Sequence, residues 1–248
     1  MFLPLQDYLI GVGPDSAQEI RRKVDSEIMA TQPATLFEAP DEAKPTPARA
    51  LLEQLLAAQR PRQAAHHQRV GAMSHLLARR IGLGEAQAEA IGRAGALRDI
   101  GMALLPQDLI DGEEALLSLR EKQLVHRHCV WGHEILDLTG DPELELAATV
   151  AIQHHERWDG SGYPFGLKGE EICLAARIVA ICAVYEALRH SRPGGAALDH
   201  VAALAALRAG DHETSPTAFD PAVRKLFFLY HEDLRRIGGT GGRLALAA

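Results

Sequence analysis

From Ala48 to about Arg236 the chain repeats apolar residues at three- and four-residue spacing almost without interruption. That period places them on one face of successive α-helices. Val70, Met73, Leu76, Leu77 and Ile81 share such a face, and Gly82-Leu83-Gly84 supplies the break that ends the helix. Further helices are expected near 85–100 and over roughly 112–139 in one or two pieces. Another should follow Asp141-Pro142 and run to His155, since proline suits a first helical position. After a Gly/Pro-rich loop at 158–169, helices are expected over 172–190, 198–209 and 221–236. No alternating apolar–polar run of useful length occurs, so the pattern predicts an all-α fold.

Upstream, Asp15 through Gln18 looks like a helix start, with Ile20, Val24 and Ile28 at four-residue spacing to about Ala30. Residues 31–47 are rich in Pro, Ala, Thr and Glu and read as a linker. The expected organisation is an N-terminal helical extension and linker over 1–47, one domain over 48–237 and a tail over 238–248. The extension either packs on the domain or supports a homodimer. The 248 residues are 47% hydrophobic, enough for a sizeable core, and carry a formal net charge of −7 without a long basic run. That balance argues against a DNA or RNA partner, although local Arg or Lys can still hold a small anion. Three cysteines, Cys129, Cys173 and Cys182, match no disulfide or zinc spacing and are expected as reduced thiols. The first residues lack a signal-peptide pattern, and no run of about 18 apolar residues occurs. A cytoplasmic protein without a membrane span is therefore expected.

Candidate chemistry lies in the twelve histidines. His154-His155-Glu156 ends a predicted helix, directly before a glycine-rich turn. Adjacent helical side chains diverge by about 100°. Both imidazoles can serve one centre only if it is large, such as a pair of metal ions. Imidazole with carboxylate suits Fe, Mn or Zn.

The run His154-His-Glu-Arg-Trp-Asp-Gly-Ser-Gly-Tyr-Pro164 resembles the HHExxDGxGYP signature of HD-GYP domains. In the same order as in that family, His66-His-Gln-Arg-Val70 resembles its HxxRV helix, Leu97-Arg-Asp-Ile-Gly-Met102 its LHDIGK segment, and His128-Cys-Val-Trp-Gly132-His-Glu-Ile-Leu136 its HPxxGxxIL segment. The likeness spans roughly residues 60–230. It implies an HD-domain-like helical bundle that hydrolyses cyclic di-GMP at a two- or three-metal centre. By position it implies Asp99 (as bridging carboxylate and catalytic residue), His128, His154, His155 and His66 as metal ligands. It also implies a docking loop at Asp159, Gly160, Gly162, Tyr163 and Pro164 for diguanylate-cyclase (GGDEF) domains.

Several departures fall on that implied chemistry. Arg98 stands where the family has the His of the HD pair, Met102 where it has Lys, Ala183 where it has a late Asp, and Arg62 where trinuclear members have Glu. Arg192 alone survives from a basic pair and is, with Arg98, the candidate nucleotide contact. One implied metal position, from His66, residue 98, Asp99 and residue 183, loses two of four ligands; the other, from Asp99, His128, His154 and His155, keeps all four. A divalent ion about 6 Å from a guanidinium meets roughly 5 kcal/mol of repulsion at an effective dielectric near 20. The expectation is one divalent ion at most, in a domain that binds nucleotide or protein with weak or no turnover. Two other readings stand beside it: a working phosphodiesterase with an altered mononuclear site, in which Glu186 substitutes for Ala183, and a scaffold that binds neither metal nor nucleotide. His67, His75, His126, His133, His190, His200, His212 and His231 are read as ordinary surface or packing residues.

Overall fold

The computed structural model describes residues 47–239, apart from 112–115, 191–195 and 211–213. The anticipated N-terminal helix and the tail beyond 239 lie outside the described residues, as does Arg192. Among the described residues every regular element is helical. In chain order these are α1 (Pro47–Ala57), α2 (Pro61–Ile81), α3 (Glu85–Leu97), α4 (Gln107–Asp111), α5 (Leu119–His126), α6 (His128–Asp137), α7 (Glu145–Gln153), α8 (Leu174–Arg189), α9 (His200–Ala209), α10 (Pro221–Leu229) and α11 (His231–Gly239). Short 3₁₀ turns cover Ile100–Leu104, Pro142–Leu144, Gly169–Glu171 and Pro216–Ala218.

Local chemistry sets the ends. Gly82 closes α2 in the left-handed conformation at φ 100°, which a β-carbon disfavours. Ser118 opens α5 with a capping box: its Oγ accepts from the Glu121 amide at 3.3 Å, and Glu121 accepts the Ser118 amide at 2.8 Å. Asp220 caps α10 through the amides of Ala222 and Val223. The single helix expected over 221–236 is divided at Tyr230, where the backbone leaves helical geometry and α11 begins anew. The expected 112–139 helix is likewise divided, at Arg127.

The bundle's core gathers Val70, Met73 and Leu77 of α2, Ile91 and Leu97 of α3, Leu136 of α6, Ile178, Ile181 and Tyr185 of α8, Phe227 of α10 and Leu234 of α11. Helices α2 and α3 approach unusually closely. A β-carbon at Gly71 would lie 2.6 Å from the Gly92 carbonyl, and one at Gly95 3.1 Å from Ser74 Oγ. Small residues here let two backbones meet, and the end of α3 is thereby drawn against the first half of α2. Glycine does the same at the next junction. A β-carbon at Gly101 would lie 2.1 Å from the His128 carbonyl oxygen, so the turn after α3 rests directly on the first turn of α6. No described helix is long and apolar enough to cross a membrane.

Candidate metal centre

Three helix ends converge where the bundle is tightest. Helix α3 ends just before Arg98-Asp99, α6 begins with His128-Cys129, and α7 ends just before His154-His155. The Asp99 Oδ1 atom lies 3.1 Å from His154 Nε2 and 3.5 Å from His128 Nε2. The two Nε2 atoms are 3.4 Å apart. The His155 ring lies 4.2 Å from that of His154 and 5.1 Å from that of His128, between centroids.

Backbone contacts decide which nitrogens carry protons. His128 Nδ1 donates to the Val125 carbonyl at 2.7 Å, and His154 Nδ1 donates to the Ala151 carbonyl at 2.9 Å. Both Nε2 atoms are then bare and face each other and a carboxylate. Burial, reinforced by His154, lowers the His128 pKa to about 4. Burial with His154 and His128 holds His155 well below the ordinary imidazole value. For Asp99, burial alone would raise the pKa, but the Arg98 guanidinium beside it holds the carboxyl ionised. Lone pairs without protons, pointed at one another, are mutually repulsive unless a cation sits among them. Donors about 2.0–2.2 Å from one ion stand roughly 3–3.5 Å apart, as these do. The donor set therefore fits one divalent ion, with outer carbonyls orienting the imidazoles as metal sites require.

The neighbouring space is different. Arg98, only 2% exposed, places Nη2 2.8 Å from Asp99 Oδ2 and 3.0 Å from His66 Nε2, while Nη1 donates to the Gly95 carbonyl at 2.8 Å. A guanidinium thus lies between His66 and Asp99 and uses the lone pair that His66 would offer a metal. Glu186 is on the other side of that imidazole. Its Oε1 lies 3.7 Å from His66 Nδ1 and is engaged by Arg69 and His190. Ala183 contributes no donor atom.

Asp99, His128 and His154 are thus brought together with the His155 ring packed against the two histidines, and His66 is separated from Asp99 by Arg98. Two residues without a role in the sequence reading also reach the centre. His67 Nε2 is 3.7 Å from Asp99 Oδ2, and burial together with Arg98 lowers its pKa to about 3. Its position beside His66 was the available signal. Cys129 Sγ lies 3.5 Å from His128 Nε2, and the thiol, both Nε2 atoms' residues and His155 form one potential donor group within 4.8 Å. The family segment has proline at that position, so its replacement by cysteine was visible in the sequence.

The loop after His155 is built around Glu156, whose buried carboxylate accepts the amides of Phe165 at 2.7 Å and Leu167 at 3.0 Å. Asp159 accepts from the Ser161 amide at 3.0 Å and the Thr217 hydroxyl at 2.8 Å. Gly160 takes φ 83°, and a β-carbon at Gly162 would strike the His155–Arg157 backbone at 2.4–2.6 Å. Tyr163, joined to Pro164 by a cis peptide, stacks between His126 and His155 at 3.6 and 4.6 Å. The tyrosine thereby backs a candidate ligand, a role beyond loop packing.

Residues 50–223 match the family model described as an HD domain. A cyclic di-GMP phosphodiesterase of Thermotoga maritima is 39% identical over 128 residues, covering 52% of this chain and 34% of that protein. The cyclic di-GMP phosphodiesterase response regulator RpfG of Xanthomonas campestris is 38% identical over 146 residues, covering 59% and 38%. A 3′3′-cGAMP-specific phosphodiesterase of Vibrio cholerae is 37% identical over 128 residues, covering 52% and 24%. The chain thus spans about a quarter to two fifths of the length of these relatives. Among solved structures, an HDG"Y"P protein of Bdellovibrio bacteriovorus matches with a TM-score of 0.55 at 17% identity, covering 73% of this chain and 56% of that one, which shows a shared fold. With the ordered motifs, the matched helical domain and these relatives together, the chain belongs to the HD-domain family, in its HD-GYP branch.

Proposed function

We propose that this chain is a cyclic-di-GMP signalling domain whose centre holds at most one divalent ion and whose phosphodiesterase activity is weak or absent. The relatives' names support the nucleotide class. The observation that carries the reading is the Arg98 guanidinium lodged between His66 and Asp99, where a second cation would have to sit.

Asp99, His128, His154 and His155 are the residues that would hold an ion of Fe, Mn or Zn type, which would polarise a phosphodiester and acidify a bound water. The protein's own contribution is positional. Val125 and Ala151 carbonyls fix the two imidazoles, and Tyr163 seats a third. Arg98 supplies a single positive charge but, unlike a metal ion, has no open coordination position for a water. Its three contacts point inward, so its role is to neutralise Asp99 rather than to clamp a phosphate. Arg192 remains the proposed nucleotide contact, and the 159–164 loop, with Ser161 and Phe165 exposed beside it, the proposed face for a GGDEF-domain partner.

The test is metal content per chain together with turnover. Purified protein is incubated with cyclic di-GMP and Mn²⁺ or Fe²⁺ under reducing conditions. About one ion per chain with little linear dinucleotide is expected. Fast hydrolysis with two bound ions overturns the reading; fast hydrolysis with one ion selects a mononuclear phosphodiesterase, which the intact four-donor group favours. Neither metal nor nucleotide binding in calorimetry selects a scaffold.

A further inference from the structure

A second donor cluster stands far along the chain from the centre above. Helix α9 opens with His200, capped by Asp199 through the Ala202 amide at 2.8 Å. Helix α11 opens with His231-Glu232 after the break at Tyr230. Two helix starts therefore present three donors to one point. His200 Nε2 is 2.9 Å from His231 Nδ1, and Glu232 Oε1 is 3.6 Å from the first and 3.7 Å from the second. The rings lie 5.1 Å apart at 31°.

We propose that His200, His231 and Glu232 form a second, tetrahedral divalent-metal site of the zinc class, with solvent as fourth ligand. The three separations bracket the edge of about 3.4 Å expected for donors about 2.1 Å from such an ion. Glu232 Oε1 is nearly equidistant from both nitrogens and beyond hydrogen-bond reach of either, so an ion would draw it in while replacing the 2.9 Å hydrogen bond between the two imidazoles. The remaining nitrogen of His200, Nδ1, lies 2.8 Å from the buried Tyr185 hydroxyl of α8. That is the outer partner that fixes the tautomer of a metal-bound imidazole. The other carboxylate oxygen, Oε2, pairs with Arg235 Nη1 at 3.4 Å, which leaves Oε1 directed at the imidazoles. His200 is buried, whereas His231 and Glu232 are open to solvent, so an ion can enter without unfolding. Bound there, it ties α11 to α8 and α9. None of these residues touches the Asp99 group, and the proposal stands whether or not that group binds metal.

The experiment titrates the purified full chain, stripped of metal, with Zn²⁺ alone, following calorimetry, the visible spectrum of a Co²⁺ substitute, and melting temperature. His231→Ala and Glu232→Gln alter partly exposed side chains and keep the fold, which circular dichroism verifies. Outer partners alone are worth about 10–100-fold in affinity, so His231→Ala should weaken one Zn²⁺ equivalent by more than ~100-fold. It should also abolish the tetrahedral Co²⁺ signature assigned to that equivalent, and reduce the zinc-dependent rise in melting temperature. His155→Ala should leave this equivalent intact, so failure of the Asp99 centre is distinguishable. Unchanged affinity, spectrum and melting in both His231→Ala and Glu232→Gln overturns the proposal and leaves the cluster a hydrogen-bonded relay.

Discussion

Arg98 stands where the resemblance to HD-GYP domains implies a histidine ligand. A buried guanidinium held by one carboxylate, one imidazole and one carbonyl is pinned in place, so it acts as a fixed +1 charge in place of an exchangeable +2 ion. Restoring the ligands should reverse the outcome. In the double variant Arg98→His with Ala183→Asp, bound metal should rise from about one to about two ions per chain. Turnover of cyclic di-GMP should rise about tenfold or more, since a second Lewis acid is worth several kcal/mol; unchanged metal content in a folded double variant counts against the site assignment. Cys129 makes a separate prediction. A thiol 3.5 Å from His128 Nε2 is a soft donor, and soft donors favour zinc over manganese. Cys129→Ser should therefore lower Zn²⁺ affinity while leaving Mn²⁺ affinity nearly unchanged, measured by competition against a chromophoric chelator.

At the scale of elements, the centre exists because three helix ends are forced together by residues without side chains. Gly101 lets the turn after α3 rest on α6, which sets the distance between Asp99 and His128. Gly101→Ala should cost about 2–3 kcal/mol in denaturant melts and reduce metal affinity, because His128 would have to move away. If stability falls and metal affinity stays, the junction does not control the ligand geometry. Gly162 plays the same part for the loop, since a β-carbon there would meet the backbone of His155, Glu156 and Arg157. The helical period of Val70, Met73 and Leu77 was legible in the sequence because burial follows it directly. The break at Tyr230 was not, and the break within 112–139 was allowed for but not placed at Arg127. Neither residue is a Gly or Pro stop signal, and tertiary packing rather than local propensity divides those helices. The His128, His154 and His155 group was foreshadowed by ordered motifs, and His67 and Cys129 stood beside two of those motif histidines without being given a role; the His200–His231 pair was not foreshadowed, because its proximity arises between elements far apart in sequence.

Across the whole molecule, the imidazoles link folding to pH. His128 and His67 have pKa values lowered to about 4 and about 3, and His66 and His155 are lowered too, all with burial as the largest cause. Unfolded, each would protonate near 6.5, so the unfolded chain binds more protons below that pH. The stability they contribute is complete above about pH 6.5 and is lost as the pH falls through the lowered values. Asp99, also lowered, acts in the same direction at still lower pH. For His128 alone the loss by pH 5 is on the order of 2 kcal/mol. Urea melts of metal-free protein should therefore show a midpoint that is nearly level from pH 7.5 to about pH 6.5 and falls from there to pH 5. His128→Asn should flatten part of that slope, because a neutral amide does not titrate. Added Zn²⁺ should steepen it, because protons and metal compete for the same lone pairs. A midpoint independent of pH across this window, in the absence of metal, would mean that these imidazoles are not buried together as the helices here arrange them.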